Sequence, residues 1–198
     1  MDIYEWYLNF FEMGSDQNIT EYIMLIIVSL MLLASAFSIA MWFLGKTNIS
    51  TMLTTIIVTA SYFSTDSILA ILFDYYEIES FSGIATLYLI FTTFDAATVL
   101  AILLITPWFR KEGEKAIKTM TSLIAVLLLI NATNNFVMSL HIALNDEPNM
   151  IVYMMYSSII CLVDSSIVLV MFFPKKSESI VNWLLRRDSK QEITLVSG

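Results

Sequence analysis

The segment YLIFTTFDAATVLAILLI, residues 88–105, decides the fold class of this chain. It is long and apolar enough to cross a bilayer, which takes about 20 apolar residues in a helix. Asp95 lies near its middle, where an ionised side chain costs at least about 2.5–3.5 kcal/mol, so such a residue marks a functional site or a polar partner. Two other apolar segments repeat this arrangement, with Asp66 in YFSTDSILAILF and Asp164 in IICLVDSSIVLV. The sequence therefore predicts a membrane protein with several spans and a polar interior.

The composition excludes an ordinary soluble domain. Hydrophobic residues make up 58% of the 198 residues and charged residues only 14%, whereas about half of a soluble domain is apolar. Most of the chain lies in long apolar segments, so we expect residues 1–198 to form a single membrane domain without a separate soluble one. The single cysteine, Cys161, has no second cysteine for a disulfide. We predict an all-α, polytopic membrane helical bundle.

Five segments have the length and polarity of membrane-spanning helices. Their approximate bounds are 21–44, 51–73, 82–109, 119–143 and 150–173. Glycine and proline fall at or between these segments, which predicts continuous helices rather than the interrupted helices of many secondary transporters. We also expect a short interfacial amphipathic helix at each end of the chain, at about 2–13 and 177–187, because aromatic and aliphatic residues alternate there with charged ones.

The basic residues predict the orientation in the membrane. In a five-span arrangement all 10 Lys and Arg residues fall on one side. The opposite side carries acidic residues, among them Asp74, Glu77 and Asp146. Because basic loops stay in the cytoplasm, we expect a multi-pass protein of the cell (inner or plasma) membrane. Its amino terminus would lie outside and its carboxyl terminus in the cytoplasm.

Polar residues recur at helical spacing in four of the predicted spans. Because a helix turns once in about 3.6 residues, residues three or four apart share a face. Lipid cannot satisfy four polar faces, so we expect them to converge on one internal cavity. The residues predicted to bind an ion or ligand there are Tyr62, Asp66, Thr92, Asp95, Asn131, Asn134, Asn135, Ser157 and Asp164.

No Lys or Arg lies within the predicted spans. The three aspartates therefore lack a fixed counter-charge, and each must be protonated, share a bound cation or line water. This predicts a protein that conducts, transports or senses protons or small cations. The aspartates would titrate or coordinate, the asparagines would act as neutral ligands, and the hydroxyl groups of Tyr62, Thr92 and Ser157 would donate hydrogen bonds.

A second hypothesis assigns the same polar residues to helix packing. Asp and Asn side chains hydrogen-bond between membrane helices for about 0.6–2 kcal/mol each. The protein would then be a non-transporting interaction protein, either a subunit of a membrane complex or an immunity-type protein. In both hypotheses the expected partners are the lipid bilayer and a second copy or another membrane protein, with no nucleic acid.

Enzymatic activity is not expected. The sequence contains neither HExxH nor GxSxG, the motifs of a zinc protease and of a serine hydrolase. A lipid-modifying enzyme that uses an aspartate with His141 is the remaining alternative, but acids that act on head groups belong at the interface. We expect His141 to be a hydrogen-bonded side chain, we predict no cofactor, and the residues do not identify a metal.

Overall fold

A computed structural model of the protein describes residues 18–75, 81–109, 118–145 and 149–183. All regular structure in these ranges is helical, which confirms the all-α prediction. The elements are α1 (Asn18–Phe43), α2 (Ile49–Tyr75), α3 (Phe81–Ile105) with a 3-10 turn at Thr106–Phe109, α4 (Thr119–Leu144), α5 (Met150–Phe172) and α6 (174–183). The predicted helix at 2–13 and residues 184–187 of the carboxyl-terminal helix lie outside the described residues.

Local chemistry sets the ends of these helices. Gly45 follows α1 with φ of +68°, a left-handed conformation that glycine adopts without steric cost. The Gly45 N–H donates to the Trp42 carbonyl and the Lys46 N–H to the Met41 carbonyl, each at 2.9 Å, which is a Schellman termination. At the start of α5, the Asn149 side chain accepts the Ile151 N–H at 3.0 Å and caps the helix.

In the part of the chain that the structure describes, four helices are long and apolar enough to cross a membrane, over Leu25–Phe43, Gly83–Phe109, Thr119–Leu144 and Ile151–Phe172. The second helix, α2, has 27 residues but is less apolar, because hydroxyl side chains occupy its inner face. The buried threonines of α2 are Thr51, Thr54, Thr55, Thr59 and Thr65. The helix therefore has the length of a span, and the polar residues that distinguish it point into the bundle.

The first five helices form a closed ring. Each helix packs on the next in chain order, most extensively α3 on α4, and α5 returns to pack on α1. A smaller contact joins α2 and α4 across the ring. Hydrogen bonds fix the directions: Ser35 bonds Thr55 while Met31 bonds Thr59, so α1 and α2 are antiparallel. The five helices therefore surround one common interior.

We call the end of the ring where α1, α3 and α5 terminate the basic end, because Lys46, Lys118, Lys175 and Lys176 lie there. The largest apolar cluster fills the interior toward this end, and its most buried members include Met31, Val58, Ile102, Met120, Ile124, Leu128, Ile167 and Met171. Large apolar side chains such as Leu100, Leu104 and Leu162 are exposed on the outside of the ring. In lipid such a core stabilises the bundle through close packing rather than through exclusion of water.

Candidate ligand-binding cavity

A cavity of about 100 Å³ lies inside the ring and receives residues from all five ring helices. The lining residues are Ile27, Val28, Tyr62, Thr65, Asp66, Phe91, Asp95, Asn131, Asn135, Tyr156, Ile160 and Asp164. The three aspartates singled out in the sequence thus lie around a single space. None of the lining residues is basic, so within the cavity wall the carboxyl groups have no cationic partner.

The first hydrogen-bond network in this wall, the Asp164 network, joins Tyr62, Asn131 and Asp164. Asp164 is only 7% exposed, and its Oδ1 accepts the Tyr62 hydroxyl at 2.5 Å and the Asn131 Nδ2 at 2.7 Å. The Asn131 Nδ2 also donates to the Tyr62 hydroxyl oxygen at 3.2 Å. Three helices, α2, α4 and α5, are therefore tied together at this carboxyl group.

The second network, the Asp95 network, joins Asp95, Asn135 and Tyr156. The Asn135 Nδ2 donates to Asp95 Oδ2 at 3.1 Å, and the Tyr156 hydroxyl donates to Asn135 Oδ1 at 2.8 Å. Tyr88 packs edge-on against the Tyr156 ring, with 5.1 Å between centroids. The two networks have the same composition, one Asp, one Asn and one Tyr. They lie side by side because Asn131 and Asn135 are one helical turn apart on α4.

One fully buried side-chain oxygen of a lining residue has no hydrogen-bond partner among the described residues. The Asn131 side chain is 3% exposed, and its Oδ1 is buried without a hydrogen-bond partner among the described residues. Leaving a buried acceptor unpaired costs about 1–3 kcal/mol, so most buried polar atoms find a partner. This oxygen can only accept a hydrogen bond or coordinate a cation.

The third carboxyl group, Asp66, differs from the other two. It is half-buried and lines the cavity, but none of the hydrogen bonds found among the described residues involves it. Its neighbour Thr65 also lines the cavity, and the Thr65 hydroxyl donates to the Ser61 carbonyl of its own helix at 2.9 Å. Asp66 is thus the carboxyl group least constrained by the protein.

A layer of buried apolar residues closes the cavity toward the basic end of the ring. In every ring helix an apolar residue one turn beyond the cavity, on the basic side, is at most 5% exposed. This apolar layer consists of Met31, Val58, Val99, Leu128 and Ile167. Each is three or four residues from a residue that lines the cavity, and all belong to the large apolar cluster. The cavity is therefore closed on that side.

Three residues predicted for the site do not line the cavity. The Thr92 hydroxyl donates to the Tyr88 carbonyl of its own helix at 2.9 Å. Asn134 lies behind the wall, and its Nδ2 donates to the Tyr156 carbonyl at 3.1 Å. Ser157 is half-buried but is not part of the lining. The physical reason is that successive helical residues point about 100° apart, so a neighbour of a lining residue faces elsewhere.

Other lining residues were missed in the sequence, above all Tyr156 and Phe91. The spacing of these residues in the sequence could have identified them. Tyr156, Ile160 and Asp164 are spaced four apart, and Phe91 lies four residues before Asp95. Phe91 lies one helical turn before Asp95, and Tyr156 lies two turns before Asp164, on the same helical faces. The predicted stripe instead followed smaller polar residues, which turned away from the cavity.

A hydroxyl seam, formed by Ser35, Thr55 and Thr59, joins α1 to α2 outside the cavity. The Ser35 hydroxyl donates to the Thr55 carbonyl at 3.0 Å and lies 2.7 Å from the Thr59 hydroxyl. The Thr59 hydroxyl also donates to the Met31 carbonyl at 3.1 Å. Thr55 and Thr59 belong to the same predicted stripe as Tyr62 and Asp66, yet they serve helix packing.

His141, near the end of α4, forms a hydrogen bond with Asn149 at the start of α5. Its Nε2 accepts the backbone N–H of Asn149 at 3.0 Å. The Asn145 side chain donates to the His141 carbonyl at 2.7 Å and lies 3.2 Å from Nδ1. The histidine is thus a hydrogen-bonded side chain, and it does not line the cavity. Within the described ranges, no group of three or more His, Cys, Asp or Glu side chains could hold a metal ion.

Comparison with models of known protein families, with curated proteins and with solved structures found no match to this chain. The cavity and its chemistry therefore carry the functional interpretation.

Proposed function

We propose that this chain is an integral membrane protein whose acidic cavity binds a proton or a small cation, in order to conduct, transport or sense it. One observation carries the proposal: Asp66, Asp95 and Asp164, from three helices, line a single cavity without a basic residue in its wall. An uncompensated carboxylate in a low-dielectric interior is costly. A bound proton or cation removes that cost, so the protein gains stability when the ligand is bound.

Five spans, rather than four, fit the packing of α2. This helix lies between α1 and α3 in the ring and has 27 residues. Its outward side chains Phe63 and Ile71 are each 56% exposed and apolar, as lipid requires, while its threonines are buried. Two hydrogen bonds join α2 and α4, one between the Thr54 and Thr121 hydroxyls and one from Asn131 Nδ2 to the Tyr62 hydroxyl, and their order along both helices means that α2 runs parallel to α4.

With five spans, the basic end faces the cytoplasm, the amino terminus lies outside and the protein resides in the cell (inner or plasma) membrane. A cation then enters from the acidic outer side, where negative charge concentrates cations. The apolar layer separates the cavity from the cytoplasm and acts as a gate, because dry apolar constrictions exclude ions. Conduction or transport requires the side chains of this layer to move apart. Sensing requires only that cation binding change the arrangement of the helices.

The test is ion flux in vesicles reconstituted with the full-length protein. The double variant Asp95→Asn, Asp164→Asn keeps the size of both side chains but removes their charge, and we expect flux to fall at least about tenfold. Ser35→Ala in the hydroxyl seam is the matched control and should leave flux unchanged. A double variant with the wild-type rate would contradict transport through this cavity.

The alternative is a non-transporting interaction protein, a complex subunit or an immunity-type protein. Its support is that both Asp networks bond helices to one another, as packing residues do. In this case function would depend on outer surfaces such as Ile180 and Trp183, which are 59% and 57% exposed. Capture of a partner from native membranes would then be lost in Ile180→Ser, Trp183→Ser and retained in Asp95→Asn, Asp164→Asn.

A further inference from the structure

We propose that the ligand of the cavity is a small organic cation that carries N–H groups, either an alkylammonium or a guanidinium ion. This ligand class deepens the proposed function and rests on it, because it names the kind of cation that the same cavity takes. Three independent features of the cavity point to it: its size, its walls and its unpaired oxygen.

The cavity is larger than a bare ion requires. Its volume is about 100 Å³. A single water needs roughly 10–15 Å³ on this measure, and an apolar protein cavity of about 150 Å³ binds benzene. The space therefore suits a ligand of about five non-hydrogen atoms. A proton or an alkali ion would leave most of this volume unfilled by the ligand itself.

Four of the twelve lining residues have hydrocarbon side chains: Ile27, Val28, Phe91 and Ile160. A hard cation of the size of calcium takes 6–8 oxygen ligands at about 2.3–2.6 Å, so it would use only the polar part of the wall, and these four side chains would supply no ligand to it. An alkyl group packs against such walls, and the face of an aromatic ring attracts an organic cation. The walls thus match a ligand with one charged end and one apolar end.

The unpaired Asn131 Oδ1 selects a ligand with N–H groups. This oxygen is buried without a partner among the described residues, while Nδ2 of the same side chain donates to Asp164 Oδ1 at 2.7 Å. An ammonium or guanidinium N–H satisfies the oxygen, whereas a fully methylated ammonium has no N–H to donate. The two networks use Oδ1 of Asp164 and Oδ2 of Asp95, and the second oxygen of each carboxylate accepts from the same cation.

Three probes with the same number of non-hydrogen atoms test this ligand class by calorimetry on the full-length protein in lipid nanodiscs. They are tert-butylammonium, tetramethylammonium and neutral tert-butanol, which differ in N–H groups and charge. We expect tert-butylammonium to bind, tetramethylammonium to bind at least about tenfold more weakly, and tert-butanol not to bind measurably. Equal binding of the first two probes, or of the neutral one, would overturn the inference.

Variants place the binding in this cavity. Asp164→Asn and Asn131→Leu should each weaken tert-butylammonium binding about tenfold or more, while Ser35→Ala should leave it unchanged. Unchanged binding in both cavity variants would place the ligand elsewhere and overturn the inference. The probe series uses wild-type protein alone, so it remains decisive if a cavity variant does not fold.

The outcome also separates this inference from the proposed function. If tert-butylammonium fails to bind while protons, sodium or potassium still give a response that depends on Asp95 and Asp164, the ligand class is wrong and the proposed function stands. If no cation gives a response that depends on these aspartates, both are wrong.

Discussion

The hydroxyl seam and the cavity use polar residues on the same face of α2 for different purposes. In the seam, Ser35, Thr55 and Thr59 bond each other and nearby carbonyl groups, and they do not belong to the lining of the cavity. One to two turns further along, Tyr62 and Asp66 line the cavity together with two more carboxyl groups. Small hydroxyl groups allow helices to approach closely and satisfy each other. At the cavity, carboxyl and carboxamide groups also bond across helices, but they leave Asn131 Oδ1 without a partner among the described residues.

This contrast gives a physical criterion for separating packing from binding in a membrane interior. The presence of a carboxyl group alone does not distinguish a binding site from a packing contact, because Asp95 and Asp164 both hydrogen-bond across helices. The distinguishing features are the open volume next to the polar atoms and the unpaired acceptor. Among the described residues the cavity has both features, whereas no hydroxyl of the seam is buried without a hydrogen-bond partner.

The largest expected effect on stability comes from Asp164→Leu. Leucine removes the acceptor shared by Tyr62 and Asn131 and leaves their donors unpaired in the interior. We expect the free energy of unfolding to fall by about 2–4 kcal/mol, measured by chemical denaturation in detergent. Asp164→Asn retains an acceptor and serves as the control. Equal stability of Asp164→Leu and wild type would show that the network is not formed.

Tyr156→Phe should have a smaller effect. It removes the hydroxyl that donates to Asn135 Oδ1 while keeping the ring packed against Tyr88. We expect a loss of about 1–2 kcal/mol in unfolding free energy, together with weaker cation binding because Asn135 no longer holds Asp95 in place. Destabilisation without any change in cation binding would assign the Asp95 network to packing.

Ser35→Ala tests whether the hydroxyl seam serves helix packing alone. Both hydrogen bonds of the seam that involve Ser35 are lost, and the measured range for such bonds in membranes predicts a cost of about 0.6–1.7 kcal/mol in unfolding free energy. Cation binding by calorimetry should match wild type. A change in binding affinity would mean that the seam and the cavity are coupled.

Thr92→Val should have the smallest effect. The Thr92 hydroxyl bonds only within its own helix in the structure, as the exposed Thr133 hydroxyl does with Leu129. We expect Thr92→Val and Thr133→Val each to change the unfolding free energy by less than about 0.5 kcal/mol. If Thr92→Val loses cation binding and Thr133→Val does not, Thr92 is part of the binding site.

The sequence predicts the helical fold and the position of the three aspartates well, for a physical reason. Long apolar segments have one stable form in lipid, and an ionisable residue within them must turn inward. The rotation of each helix is less predictable, because it depends on which surfaces pack together. An error of one residue turns a side chain by about 100°, which replaces Tyr156 by Ser157 and Phe91 by Thr92.

The sequence also does not predict which polar residues of α2 belong to the hydroxyl seam and which line the cavity. Thr55, Thr59, Tyr62 and Asp66 follow helical spacing on one face, and the spacing does not show where a neighbouring helix approaches closely. That is set by the small residue Ser35 on α1, whose contact with Thr59 depends on the antiparallel register of the two helices.

Infrared difference spectroscopy of the carboxyl groups, in the full-length protein in lipid nanodiscs, measures most directly whether the cavity aspartates bind a cation or a proton. Spectra are recorded across a pH titration and on addition of sodium, potassium and tert-butylammonium. We expect carboxyl bands of Asp95 and Asp164 that change with the bound cation or proton, persist in Ser35→Ala and are lost in Asp95→Asn, Asp164→Asn. Carboxyl bands unaffected by these two substitutions under every condition would show that the cavity aspartates bind nothing and serve only to pack the helices.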